Sequence, residues 1–141
     1  MAASEDQVEF LKQPNVAVLA TVGPGGRAHA VPVWYLYEGG VFIMSTGHGS
    51  QKHRNVERHP EVTLVVDWRT LPYYAVMGRG RAEIGPRLSE EERLRMAVRY
   101  LGEQWGRAYI ARTSGEDSVS IRLRPRKLIE YHGRAGRPPG E

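Results

Sequence analysis

The chain has 141 residues, no cysteine, 26% charged residues and a formal charge of +4. That length suits one domain with a modest core, and the missing cysteine excludes disulfides, thiol catalysis and cysteine-ligated metals. The first residues lack the basic and apolar regions of a signal peptide and no apolar run reaches membrane-spanning length, so a cytoplasmic protein without a membrane partner is expected.

Ser4 to Gln13 predicts a short helix, with Ser4 as N-cap and Glu5 and Asp6 in the first turn, ended by Pro14-Asn15. VAVLATV, Val16 to Val22, predicts a buried strand. The turn Gly23 to Gly26 joins it to a second strand, Arg27 to Tyr37, as a hairpin. Pro32 cannot donate to a ladder, which predicts an edge position or a bulge there. Glu38-Gly39-Gly40 is a tight turn, Val41 to Ser45 a third strand and Val62 to Asp67 a fourth, with a loop from Trp68 to Pro72. Tyr73 to Ile84 predicts a long strand, in which Gly78 and Gly80 permit a sharp bend or close approach of a ligand.

Leu88 to about Trp105 predicts one long helix, capped by Ser89 and apolar along Leu94, Ala97, Val98 and Leu101. Trp105 and Tyr109 are expected to pack against it, and Gly106 to Asp117 is mixed, with room for a helical turn. Ser118 to Tyr131 alternates Val119, Ile121 and Leu123 with Ser120, Arg122 and Arg124, which predicts a final strand at a sheet edge. A Gly/Pro/Arg tail from Gly133 is expected to be disordered. Many short strands with glycine turns predict a mainly β domain over residues 1–132, built as a small barrel.

Ser45 to Pro60, STGHGSQKHRNVERHP, carries the chemistry. A strand ends in a glycine corner, and a short basic helix follows with Ser50 placed to cap it. Backbone N–H groups, hydroxyls and cations held this way can bind a phosphate. A solvated basic helix is the plainer reading, and the GxxxxGK[ST] phosphate loop is absent. The sequence pI is about 9.6, and the excess charge is almost all arginine, part of it in Arg122, Arg124, Arg126, Lys127, Arg134 and Arg137. No helix-turn-helix or zinc pattern accompanies it, which favours an anionic small molecule over nucleic acid.

Val16 to Ile84 resembles the pyridoxamine-phosphate-oxidase-like split β-barrel family of flavin and deazaflavin oxidoreductases. The spacing Lys52, two residues, Asn55-Val56, two residues, His59-Pro60 is similar to the pattern of its single-domain group that uses coenzyme F420. The segment Leu123 to Leu128 is similar to the family's closing strand. The resemblance implies a split barrel with flanking helices that forms homodimers, with cofactor sites between the subunits. It implies that Lys52 contacts phosphate, and that Val31, Pro32, Val33 and Trp34 lie along the tricycle. Thr46, Gly47, His48 and Ser50, flanked by Ser45 and Gln51, then wrap the phosphate and ribityl chain, with Asn55 close by. The implied reaction is hydride transfer from reduced F420 to an enone, quinone or tetrapyrrole. FMN is the alternative cofactor, and a non-catalytic flavin- or haem-binding barrel the alternative role. Strict pyridoxamine-phosphate oxidases carry a C-terminal substrate-binding segment that the sequence after Gly133 does not show, so vitamin B6 oxidation is not expected.

No catalytic residue stands out, since the cofactor would carry the chemistry. His48 can donate to a cofactor oxygen or be a plain loop histidine, and His29 can face the groove or a neighbouring strand. His53 and His59 read as surface or packing residues. Trp34, Trp68, Tyr73 and Tyr74 are the aromatic residues able to stack on a planar ring or to pack at an interface. The five histidines show no metal-ligand spacing, and no metal is expected.

Overall fold

The computed structural model describes residues 2–133. The expected tail, with Arg134 and Arg137, lies outside them except for Gly133. Helix α1 (Glu5–Leu11) begins at a reciprocal cap: the Gln7 N–H donates to Ser4 Oγ, and the Gln7 side chain accepts from the Ser4 N–H. Strands β1 (Ala17–Val22) and β2 (Ala28–Val33) form the expected hairpin across a 3-10 turn at Pro24–Gly26. Then come β3 (Leu36–Glu38), β4 (Val41–Gly47), α2 (Gln51–Arg58), β5 (Glu61–Trp68) and β6 (Tyr74–Gly85). Helices α3 (Glu90–Leu101) and α4 (Glu103–Arg112) precede β7 (Ser118–Leu123) and β8 (Lys127–His132).

The strands pair antiparallel in the order β2-β1-β5-β6-β7-β4-β3, with β8 also on β6. β6 serves both halves of this split barrel: Tyr74 to Arg79 pair with β8, and Ala82 to Gly85 pair with β7. The switch falls at the glycines. A Cβ on Gly80 would lie 3.0 Å from the Arg124 carbonyl oxygen, and one on Gly78 would lie 3.1 Å from the Phe42 ring. Leu19, Phe42, Met44, Leu64, Val66, Val76, Ile121 and Leu123 fill the interior. Leu36, Ile43, Leu88 and Met96 form a smaller cluster that seats α3 on the outer face of β3–β4.

Three expected segments are each broken in two. The strand expected over Arg27 to Tyr37 stops at Val33, because Tyr35 turns into the core and leaves the ladder. Its backbone N–H donates to the Tyr100 hydroxyl at 3.1 Å, and its own hydroxyl donates to the Leu11 carbonyl at 2.7 Å. The long helix ends at Gly102, whose φ of 84° closes α3 and opens α4, a full ten-residue helix in place of a turn. Within α3 the enclosed residues are Met96 and Ala97, whereas Leu101 is exposed. The last strand breaks at Arg124 to Arg126, where Pro125 has no N–H to give and the Arg126 N–H donates to the Arg79 carbonyl at 2.8 Å. β7 is an inner strand between β4 and β6, not an edge, and Ser120 is fully buried. Pro32 does lie on an edge strand, opposite Val18.

Candidate functional site

The corner between β4 and α2 is tied from every side. Gly49 adopts φ of 78°, and its N–H donates to His53 Nδ1 at 2.9 Å. With Nδ1 accepting, the ring proton sits on Nε2, 2.7 Å from Glu57 Oε1. Ser50 Oγ accepts from the His53 N–H at 3.3 Å and lies 2.8 Å from Thr46 Oγ1. The His48 N–H donates to the Asp117 carbonyl at 3.1 Å, joining the corner to the segment before β7. The N–H groups of Gln51 and Lys52, in the first turn of α2, have no partner in the described residues.

Asn55 is fully enclosed. Its Nδ2 donates to Thr21 Oγ1 at 3.0 Å, and its Oδ1 accepts from Gln51 Nε2 at 2.6 Å. It therefore fastens α2 to β1 and aims Gln51, and its amide does not reach open space.

Beside the corner lies a cleft of about 310 Å³. Pro32, Val33 and Trp34 form one wall, Ser45, Thr46 and Gly47 the floor, and Lys52 stands at the mouth. A Cβ built on Gly47 would meet nothing within 4 Å, so the floor is bare there. The opposite wall comes from Met96 and Arg93 of α3 and Tyr109 and Ile110 of α4, with Glu116 and Asp117 on the lip. Arg93 braces this wall, donating to the Thr113 hydroxyl at 2.7 Å and to Glu90 at 3.2 Å. Arg87 donates to the Ser114 and Glu116 carbonyls and holds the lip.

Sequence reasoning missed this second wall. Gly102 and Gly106 were the available signal, since Gly106 lets α4 lie directly against Val98 of α3. Tyr109 packs at 5.5 Å from Trp34, and Trp34 stacks on Tyr100 at 4.9 Å with an 8° interplanar angle. Trp105 does not pack as expected: it points off the outer side of α4 and is 68% exposed.

Seven expected site residues thus meet in one cleft: Pro32, Val33, Trp34, Ser45, Thr46, Gly47 and Lys52. Ser50 and Gln51 sit beside its mouth, and His48 is exposed on the corner, its ring 4.9 Å from that of His53. The Val31 side chain packs toward the core. Trp68 is elsewhere, in a shallow cleft with Val16, Val18 and Pro32, and Tyr73 lies at the foot of β6, where its carbonyl accepts from the Gly133 N–H at 2.9 Å. His29 flanks a further cleft with Arg27 and Gln51. Among the described residues, Arg27, Lys52, Arg54 and Arg58 have no carboxylate partner, whereas Arg93, Arg95, Arg107, Arg122 and Arg126 each have at least one. No three His, Asp or Glu residues converge among the described residues, and no helix there is long and apolar enough to cross a membrane.

The family model described as pyridoxamine 5'-phosphate oxidase matches residues 3–135. This chain belongs to the pyridoxamine 5'-phosphate oxidase family. A curated pyridoxine/pyridoxamine 5'-phosphate oxidase of Rubrobacter xylanophilus is 34% identical over 130 residues, covering 91% of this chain. The chain spans 58% of that relative's length. Among solved structures, a conserved hypothetical protein from Mycobacterium tuberculosis superposes with a TM-score of 0.75 at 26% identity, covering 98% of this chain and 91% of that one. A structure titled F420 reductase superposes at 0.73 and 26% identity, covering 90% and 98%. The fold is the split barrel of this family.

Proposed function

We propose that this chain is an oxidoreductase that uses coenzyme F420 and reduces an organic acceptor such as an enone, quinone or tetrapyrrole. One observation carries the reading: Lys52 and the α2 N–H groups, which have no carboxylate or hydrogen-bond partner among the described residues, stand at the mouth of a cleft walled by Pro32–Trp34. The likeness to a structure titled F420 reductase supports it. So do Arg27, Arg54 and Arg58 around α2, which have no carboxylate partner among the described residues, since F420 carries carboxylates beyond its phosphate and guanidinium groups pair well with them.

The residues present fit such a cofactor. Lys52, the α2 N–H groups and the hydroxyls of Thr46 and Ser50 hold the phosphate. The bare floor at Gly47 leaves room for the chain that follows it. Val31 to Trp34 run along the ring system; β2 is an edge strand, so part of its backbone is unpaired and free to meet ring atoms. His48 and Gln51 flank the phosphate, and Asn55 keeps α2 in place. When bound, the deazaflavin supplies the hydride chemistry, while the chain binds, orients and excludes water.

The working unit is a homodimer. The outward faces of β1 and β2 present Val18, Ala20, Ala28, Ala30 and Pro32, continuous with exposed Val16 and Trp68. A second copy covers this face and brings Trp68 and Tyr73 toward the neighbouring groove. Ala30→Arg should convert the dimer to monomer by light scattering and weaken cofactor binding with it.

Parallel titrations with F420 and FMN test the cofactor. Saturable F420 binding, tighter than FMN by tenfold or more, is expected. Tighter FMN binding would reassign the cofactor, and equally weak binding of both would remove the enzymatic reading.

A further inference from the structure

A separate cleft of about 570 Å³ opens at the other end of β4, between α1, the Gly39–Gly40 turn and the β7–β8 crossover. It shares no lining residue with the cleft beside α2. Tyr37 is 7% exposed, and its ring packs 4.7 Å from Phe42, yet its hydroxyl makes no hydrogen bond to the described residues. Burial raises the Tyr37 pKa, which keeps the hydroxyl protonated and able to donate. Lys12 and Arg124 stand in the same cleft. Among the described residues neither has a carboxylate partner, and Arg124 makes a long 3.4 Å contact to the Gly39 carbonyl. Among the described residues, none that lines the space is acidic. Val8, Pro125 and Leu128 supply its apolar wall. The turn is kept bare: Gly39 and Gly40 have φ of 59° and 77°, and a Cβ on Gly40 would be 3.8 Å from the Arg124 guanidinium.

We infer that this cleft binds a small carboxylate with an apolar body, its head between Tyr37, Lys12 and Arg124 and its hydrocarbon against Val8, Pro125 and Leu128. Two cations and a protonated hydroxyl line the same cleft, and a carboxylate head can pair with all three where a neutral head satisfies fewer. The apolar wall gains only from a ligand that covers it. This site is independent of the cofactor proposal.

Amide NMR spectra of the whole chain, titrated separately with octanoate, 1-octanol and inorganic phosphate, test the inference. Octanoate should cause saturable shifts at Gly39 and Gly40 and leave Gly47 and Lys52 unmoved. Octanol should bind about tenfold more weakly, and phosphate should not saturate. Tyr37→Phe, which keeps the ring, and the surface change Arg124→Gln should each weaken octanoate binding about five- to tenfold without lowering Tm. Absence of saturable shifts with octanoate, octanol binding as tightly as octanoate, phosphate binding as tightly alone, or unchanged affinity in both variants would each overturn it.

Discussion

Asn55 Nδ2 donates to Thr21 Oγ1 at 3.0 Å, and both side chains are buried. This bond spans 34 residues and sets where α2 begins relative to the sheet. Asn55→Ala should leave the Thr21 hydroxyl unpaired and open a void, costing about 2–3 kcal/mol in urea unfolding. A loss under about 0.5 kcal/mol would mean that the bond does not hold the helix.

Lys52 behaves oppositely, because its ammonium group makes no hydrogen bond or ion pair among the described residues. Lys52→Ala should leave unfolding stability within about 0.5 kcal/mol of the parent. Cofactor affinity should fall by about 1.5–3 kcal/mol, read by titration. Unchanged affinity in a folded variant would remove Lys52 from the phosphate site.

Gly106 sets the spacing of the two helices that wall the cleft. A Cβ there would lie 2.8 Å from the Val98 backbone nitrogen and 2.9 Å from its Cα, atoms that cannot rotate away. Gly106→Ala should therefore shift α4, cost about 1–3 kcal/mol in stability, and displace Tyr109 and Ile110. Thermal unfolding and ligand titration should both register it; a variant normal in both would show that α4 slides freely.

Glu92 links α3 to β7 through Arg122, at 3.0 Å. Burial acts to raise its pKa, but bonds from the Ser89 N–H and the Arg122 guanidinium outweigh it and hold the carboxyl below its ordinary 4.5. A carboxyl depressed on folding stabilises the fold above its unfolded pKa, and that contribution fades as pH falls through the folded value. Glu92→Gln should thus cost about 1 kcal/mol near neutrality, and the gap to the parent should close as pH falls below its ordinary 4.5. A gap that stays constant on acidification would contradict this.

Tyr74 shows the opposite shift at another surface. Burial, then the bond to Glu130 at 2.9 Å, pushes its hydroxyl up to about 12. It works with Gln7 to hold Glu130, tying α1 to β8.

Local chemistry made much of this protein legible from its residues. The Ser4 and Ser89 caps, the hairpin at Gly25 and the edge position of Pro32 each depend on neighbours within a few positions or on one residue's backbone freedom. The corner from Ser45 to Lys52 was readable for the same reason. The breaks were not. Tyr35 leaves its strand because Tyr100, 65 residues away, offers a hydroxyl to its backbone. The crossover at Arg124 to Arg126 exists because Gly80 lies against it. Met96, Tyr109 and Glu116 belong to the cleft only because α3 and α4 fold back over β4 and β7. Spacing along a chain encodes turns and faces, whereas side chains far apart in sequence meet only where packing brings them together. Most of the order of the elements and the glycine corner before α2 were therefore written in the residues, and the shape of the cleft was decided by tertiary contact.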